Sequence, residues 1–203
     1  VDDAIEQLEI LAEETEEWAD RVRAYLAQGE IYRSHQRYQE TFDMYTQALR
    51  QKPEDINLLY ARALVAEKVD RVDIAESDLL KVLSIDPENA DALNALGYTL
   101  ADKTKRYQEA KEYIQKAMSL LPDDPAVMDS LGWVSYRLGE MQEALKWLSQ
   151  AFARVVDPEI AAHYGEVLWQ TNQKDKARAI WQKGQEVDAQ HPVLLETMKR
   201  LQP

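Results

Sequence analysis

The sequence has no cysteine among its 203 residues, which excludes disulfides and thiolate metal sites. It contains no glycine-rich phosphate loop, no G-x-S-x-G turn and no H-E-x-x-H pair. No apolar run approaches the ~18 residues that a membrane-spanning helix needs. An enzyme built on one of these motifs is therefore the least favoured class of function.

Basic residues are also scarce. There are 24 lysines and arginines against 37 aspartates and glutamates, which gives a net charge of -13. Long-range repulsion by this charge disfavours binding to nucleic acid or to anionic lipid. An apolar content of 45% argues against a disordered chain. Because the sequence starts with Val1 inside a predicted helix, we expect a fragment from which any export signal has been removed.

What the sequence does have is a repeat marked by prolines. Pro53, Pro87, Pro122 and Pro158 lie 34, 35 and 36 residues apart. A proline at the end of each unit stops a helix, because the residue before proline avoids the α conformation. Small residues such as Gly97 recur where two helices would approach closely. The pattern predicts eleven or twelve antiparallel helices and no strand.

This repeat resembles the tetratricopeptide pattern, which recurs about every 34 residues. The resemblance is carried by Leu96-Gly97-Tyr98, Leu131-Gly132-Trp133 and Tyr164-Gly165-Glu166, with the spaced alanines and prolines that follow them. It implies an all-α fold, a right-handed superhelical solenoid of antiparallel helix pairs. The predicted segments are helix B of a truncated preceding repeat at 1–21, repeats at 22–55, 56–89, 90–124, 125–157 and 158–192, and a C-terminal capping helix at 193–203.

The first helix of each repeat, helix A, is expected to line a concave groove that binds a protein partner. Aromatic side chains on such a surface are typical partner contacts, and we expect the ring of Trp133 to be exposed there. The alternative is that neighbouring superhelical turns or the terminal helix cover these side chains. The candidate partner-binding residues are Tyr60, Leu64, Asn94, Tyr98, Asp129, Trp133, Tyr136, Arg137 and Trp169.

His163 has Glu159 and Glu166 at helical spacing, an arrangement that could hold a metal ion weakly. Carboxylates and a single histidine do not make a strong metal site. We therefore predict a surface histidine beside solvated acids, with no metal, no cofactor and no catalytic residue.

Longer stretches are similar to a narrower family. Residues 92–102, 129–134 and 157–169 resemble the C-terminal half of outer-membrane tetratricopeptide lipoproteins of Gram-negative bacteria that bind the carboxyl-terminal processing protease. The resemblance implies an adaptor at the periplasmic face of the outer membrane. Its partners would be that protease and its cell-wall hydrolase substrates, and it would meet the membrane only through a lipid anchor that this chain does not contain.

Two functions stay open at this point. The first is a scaffold that brings a protease and its substrates together, and the second is a structural or assembly factor of the pilotin-like or envelope-biogenesis kind. The groove positions lack a basic cluster, which disfavours a clamp for an acidic C-terminal tail. Both functions use proteins as partners and the same groove, so the sequence does not separate them.

Overall fold

The computed structural model describes residues 2–201, and within them it contains twelve α-helices and no strand. The helices are α1 (Asp2–Glu14), α2 (Trp18–Ser34), α3 (Tyr38–Gln51), α4 (Ile56–Ala66), α5 (Val72–Ile85), α6 (Ala90–Lys103), α7 (Tyr107–Leu120), α8 (Pro125–Arg137), α9 (Met141–Arg154), α10 (Pro158–Gln170), α11 (Lys174–Val187) and α12 (Pro192–Leu201). A short 3₁₀ turn, Glu67–Val69, follows α4. The all-helical fold predicted from the repeats is confirmed.

Acidic and amide side chains begin the helices that follow the prolines. The Asp55 carboxylate accepts hydrogen bonds from the backbone N–H groups of residues 57 and 58, and Asp124 and Asp157 do the same for α8 and α10. Asn89 accepts from the N–H of Ala92 at the start of α6. These bonds satisfy N–H groups that have no partner inside the helix.

The chain forms two compact units that divide between Thr99 and Leu100, within α6. In the first unit, each helix from α1 to α5 packs on the next one, and Leu58, Val65 and Leu79 of α4 and α5 are almost fully buried. α2 begins at Trp18, earlier than the predicted repeat start at residue 22. Val1 of the predicted first segment lies outside the described residues.

A buried ion pair joins two helices of the first unit. The Arg62 guanidinium on α4 donates to both carboxylate oxygens of Asp78 on α5, at 2.7 and 2.8 Å. It also donates to the Thr46 hydroxyl on α3 at 3.2 Å. The fork of the guanidinium satisfies the buried carboxylate, which explains how Asp78 is tolerated among apolar neighbours.

In the second unit, close contacts between helices depend on small residues. A methyl group added at Gly165 on α10 would lie 2.0 Å from Nε1 of Trp181 on α11, a separation that side chains do not adopt. The Trp181 ring is fully buried against this glycine. Replacing Gly165 with any larger residue would push α10 and α11 apart.

The last helix, α12, packs on α10 and α11. Its Leu194 is fully buried, and a Cβ atom built on Gly184 of α11 would lie 2.9 Å from Cδ2 of Leu194. This contact covers the apolar side of α10 and α11 that would otherwise meet solvent. The last two residues of the predicted 193–203 segment lie outside the described residues.

We expect Ala110→Leu on α7 to destabilise the protein by about 1–3 kcal/mol, because Ala110 is fully buried and the added atoms overpack its helix contact. Urea unfolding would measure the change. Ala179→Leu on α11 is the matched control, since Ala179 is exposed and the substitution should shift stability by less than about 0.5 kcal/mol. Equal stability of the two variants would contradict the repeat phase assigned to Ala110.

Candidate functional site

The predicted groove residues of the first unit lie on α4 and α6. Tyr60, Leu64, Asn94 and Tyr98 are each half-buried. Burial, followed by the charge of Asp91, raises the pKa of the Tyr60 hydroxyl. The phenol therefore stays protonated and can donate a hydrogen bond.

An open cavity of about 200 Å³ lies beside Leu64 in this unit. Polar and charged side chains from α2 share its walls with apolar ones from α4. The lining residues are Glu30, Arg33, Ser34, Tyr38, Leu64, Val65 and Lys68. Most of these are residues of α2 and α4, the first helices of their repeats.

In the second unit, Asp129 and Trp133 occupy a buried network. Oδ2 of Asp129 on α8 lies 2.8 Å from Nδ1 of His163 on α10. The ring of Trp133 stacks on the imidazole of His163, with centroids 4.2 Å apart and planes at 20°. The pair therefore ties the first helices of two successive repeats together.

Two predictions on these residues are wrong. Trp133 was expected to expose its ring, but the residue is only 7% exposed because α10 covers it. His163 was expected at the surface beside solvated acids, but it is 3% exposed and paired with Asp129. Both side chains face the neighbouring helix rather than solvent.

The electrostatics of the pair follow from its burial. Burial alone would lower the pKa of His163, but the Asp129 carboxylate at hydrogen-bond distance, helped by Glu159 and Asp102, raises it to about 9. Burial raises the pKa of Asp129, against the opposing charge of His163. The Asp129 carboxylate thus favours the protonated form of His163, while burial opposes the ionised form of each partner.

Tyr136 and Arg137 lie next to this pair and are half-buried. The Tyr136 hydroxyl donates to Oε1 of Glu166 at 3.1 Å, and Arg200 of α12 donates to Oε2 of Glu166 at 2.6 Å. Burial and the Glu166 charge raise the pKa of Tyr136 to about 12. The terminal helix therefore covers part of this face, which was the alternative considered for these side chains.

Arg137 contacts α7, the helix that precedes α8. It donates to the Tyr107 hydroxyl at 2.7 Å and lies over the rings of Tyr107 and Trp133, with centroid distances of 4.8 and 5.8 Å. Its guanidinium is 4.0 Å from the Asp102 carboxylate. Arg137 is thus held in place while part of it stays accessible, as a side chain that contacts a partner should be.

Trp169 stands apart from that network. Its ring is half-buried and tilts against Trp181, with centroids 5.5 Å apart. Lys174 and Arg178 lie over the ring at 4.8 and 5.4 Å. This ring therefore packs within its own helix pair, with cations over its face, rather than against Trp133 and Tyr136.

The network adds residues that are not among the candidate partner-binding residues named from the sequence: Asp102, Tyr107, His163, Glu166 and Arg200. A usable signal was the spacing between complementary side chains. Asp129 and His163 are 34 residues apart, as are Glu166 and Arg200. A separation of one repeat places two side chains on neighbouring first helices, where they can pair.

Two absences within the described residues bear on the chemistry. Among them, no group of three or more His, Cys, Asp or Glu side chains is arranged to hold a metal ion. In the same part of the chain, no helix combines the length and the apolarity needed to cross a membrane.

The chain is similar in sequence to two known bacterial proteins. The chain is 45% identical over 166 residues to the TPR repeat-containing protein PA4667 of Pseudomonas aeruginosa, which covers 82% of this chain and 28% of that protein. It is 25% identical over 171 residues to the type IV pilus assembly protein PilF of the same organism, covering 82% of this chain and 68% of PilF. The chain thus spans less than a third of the length of PA4667.

A solved structure and a family model also match the chain. TTC0263, a thermophilic TPR protein of Thermus thermophilus, matches with a TM-score of 0.76 at 22% identity, over 89% of this chain and 96% of that one. A family model described as tetratricopeptide repeat matches residues 19–184. Because this match covers most of the sequence, the chain belongs to the tetratricopeptide-repeat family.

Proposed function

We propose that this chain is a protein-interaction scaffold and acts as an adaptor rather than as an enzyme. The observation that carries the proposal is the repeat fold itself, whose stacked first helices hold half-buried polar and aromatic side chains in fixed positions. Tyr60 and Tyr98 supply this surface in the first unit, and Tyr136 and Arg137 supply it in the second. Ordered side chains of this kind lose little freedom on binding, which favours affinity.

The more specific proposal is a periplasmic lipoprotein adaptor. In this role the scaffold brings a carboxyl-terminal processing protease and its cell-wall hydrolase substrates together. Its support is the resemblance of residues 92–102, 129–134 and 157–169 to outer-membrane lipoproteins of that kind. The partners, the location at the outer membrane and the set of groove residues are all part of this proposal.

A second candidate is an assembly factor of the cell envelope. It is favoured by the similarity to PilF, a type IV pilus assembly protein, over 82% of this chain. Such a factor would use the same first-helix surface to stabilise a partner's oligomer. The two candidates therefore differ in the identity of the partner rather than in the surface that binds it.

A pull-down from envelope extract separates the candidates. The chain is immobilised, and captured proteins are identified by mass spectrometry. Recovery of a carboxyl-terminal processing protease together with a cell-wall hydrolase is the result expected for the adaptor. Recovery of pilus or secretion components without that protease would favour the assembly factor.

Tyr98→Ala should weaken capture of the recovered partner by on the order of 1–3 kcal/mol, if Tyr98 is one of the few side chains that dominate the interface. Titration of the purified partner by calorimetry measures the change. Tyr113→Ala is the matched control, because Tyr113 is also a half-buried tyrosine but lies on α7, the second helix of its pair. Equal losses for the two variants would argue against binding through the first helices.

A further inference from the structure

A separate cavity of about 340 Å³ lies in the first unit, away from the proposed groove residues. Its walls come from α1 and α3, and its floor comes from α2. The lining residues are Glu9, Ala12, Glu13, Tyr25, Gln28, Tyr32, Glu40, Asp43, Met44, Gln47 and Ala48. None of the residues assigned above to the partner-binding groove is among them.

The rim of this cavity is acidic on both sides. Glu9 and Glu13 are one helical turn apart on α1, and Glu40 and Asp43 hold the same relation on α3. All four are exposed. Helical spacing turns each pair toward the same face, so carboxylates from two helices meet across one opening.

Little positive charge offsets these groups. Among the described residues that line the cavity there is no lysine or arginine. Arg37 pairs with Glu40, with its Nε 2.9 Å from Oε2 of that carboxylate, and its guanidinium lies 4.5 Å from the ring centroid of Tyr32. Glu9 and Asp43 accept hydrogen bonds from uncharged glutamine amides, Gln28 and Gln39, which leave their charge in place. The opening therefore attracts a cation.

A second feature points to a hydrogen-bond donor. Gln28 is 2% exposed, and its side chain is one of the lining groups. Its Nε2 donates to Oε1 of Glu9 at 2.9 Å, which fixes the orientation of the amide. The amide Oε1 is buried and has no hydrogen-bond partner among the described residues. A buried acceptor in this state is stabilised by a donor that reaches it.

The rest of the lining suits a long side chain with a charged end. Ala12, Ala48 and Tyr32 are buried apolar groups beneath the acidic rim, and Met44 and Tyr25 are half-buried beside them. Arginine and lysine combine an apolar stem with a cationic head that has several N–H donors. The stem can lie on these groups while the head meets the carboxylates and the Gln28 oxygen.

We propose that the cavity between α1, α2 and α3 binds an arginine or lysine side chain of a partner protein. The carboxylates of Glu13 and Asp43 neutralise the cation from opposite walls, and the Gln28 amide oxygen accepts one of its hydrogen bonds. This is a second contact point, so the scaffold can hold a basic segment here while its groove is occupied. Its success or failure is independent of the groove test on Tyr98.

The test uses the whole chain and two tripeptides, acetyl-Ala-Arg-Ala-amide and the same peptide with citrulline in place of arginine. Citrulline keeps the length and shape of arginine but lacks its charge. The ¹H–¹⁵N spectrum of the protein is recorded as each peptide is added to millimolar concentration. We expect saturable shifts of the Gln28 side-chain amide signals with the arginine peptide and none with the citrulline peptide.

Charge variants locate the site. Glu13→Gln combined with Asp43→Asn should weaken binding of the arginine peptide roughly tenfold, since two charged hydrogen-bond acceptors are lost. Glu88→Gln combined with Asp91→Asn removes the same formal charge from exposed residues near the start of α6 and should leave the affinity unchanged. Equal weakening in both double variants would overturn the proposal, because it would indicate attraction by the overall negative charge.

The peptide comparison needs no variant, so it decides the matter even if a substitution impairs folding. Shifts of the Gln28 amide of the same size with both peptides would show that charge is not recognised and would overturn the proposal. An arginine peptide that leaves these signals in place would overturn it as well.

Discussion

Trp133→Ala is expected to destabilise the protein by about 3–5 kcal/mol, the range measured when a large buried aromatic is truncated. The residue is 7% exposed, its ring stacks on His163 at 4.2 Å, and the Tyr136 ring lies 5.3 Å away. Truncation would remove both contacts and leave a cavity beside a buried ion pair. Urea unfolding followed by circular dichroism measures the loss.

Trp133→Phe is the control for this prediction. Phenylalanine keeps a ring that can stack on the imidazole, so the loss should be clearly smaller than for alanine. An alanine variant as stable as the original protein would mean that the ring contributes little to the core.

The fold was predictable because packing between paired helices leaves a mark in each repeat. Ala110 and Ala117 on α7 are fully buried, as expected of small residues at a close helix contact. Gly165 leaves room for the ring of Trp181 for the same reason. Each of these positions is constrained by its own helix pair, so one repeat contains the information needed to recognise it.

The candidate site was less predictable because its contacts run between repeats. A position within one repeat indicates which face of a helix a side chain occupies, but not what the next helix places opposite it. His163 could be recognised as buried only by noticing Asp129 one repeat earlier. Trp133 appeared available for binding because its cover, His163, belongs to the following repeat.

The contacts made by the terminal helices α1 and α12 were the hardest to predict from the sequence. Arg200 on α12 pairs with Glu166 on α10, and only the separation of 34 residues, one repeat, marks this contact in the sequence. The acidic cavity combines α1 with α2 and α3, and α1 precedes the first recognisable repeat. Sequence periodicity indicates little about the lining of this cavity, because these contacts form once rather than in every repeat.

The free energy of unfolding should fall as the pH rises from about 6.5 to above 9. The pKa of His163 is near 6.5 when the chain is unfolded and about 9 in the folded protein, so folding favours the protonated form. That stabilisation is complete below pH 6.5 and is lost as the pH passes through the folded pKa. The difference corresponds to on the order of 3 kcal/mol.

Urea unfolding at constant ionic strength, between pH 6 and pH 10, measures this dependence. Tyrosines and lysines also titrate near the upper end, so the informative quantity is the difference between the protein and its His163→Gln variant. The His163→Gln variant should lack the part of the fall in unfolding free energy that comes from deprotonation of His163. His35→Gln is the control, because it removes an exposed histidine.

Asp129→Asn tests whether the Asp129 carboxylate is the cause of the raised pKa of His163. With the carboxylate removed, burial becomes the main influence on His163 and lowers its pKa. The loss of stability above pH 6.5 should then disappear, although the histidine is still present. If Asp129→Asn instead kept the full pH dependence, the proton on His163 would have to be stabilised by Glu159 and Asp102, and the pairing of α8 with α10 would not depend on Asp129.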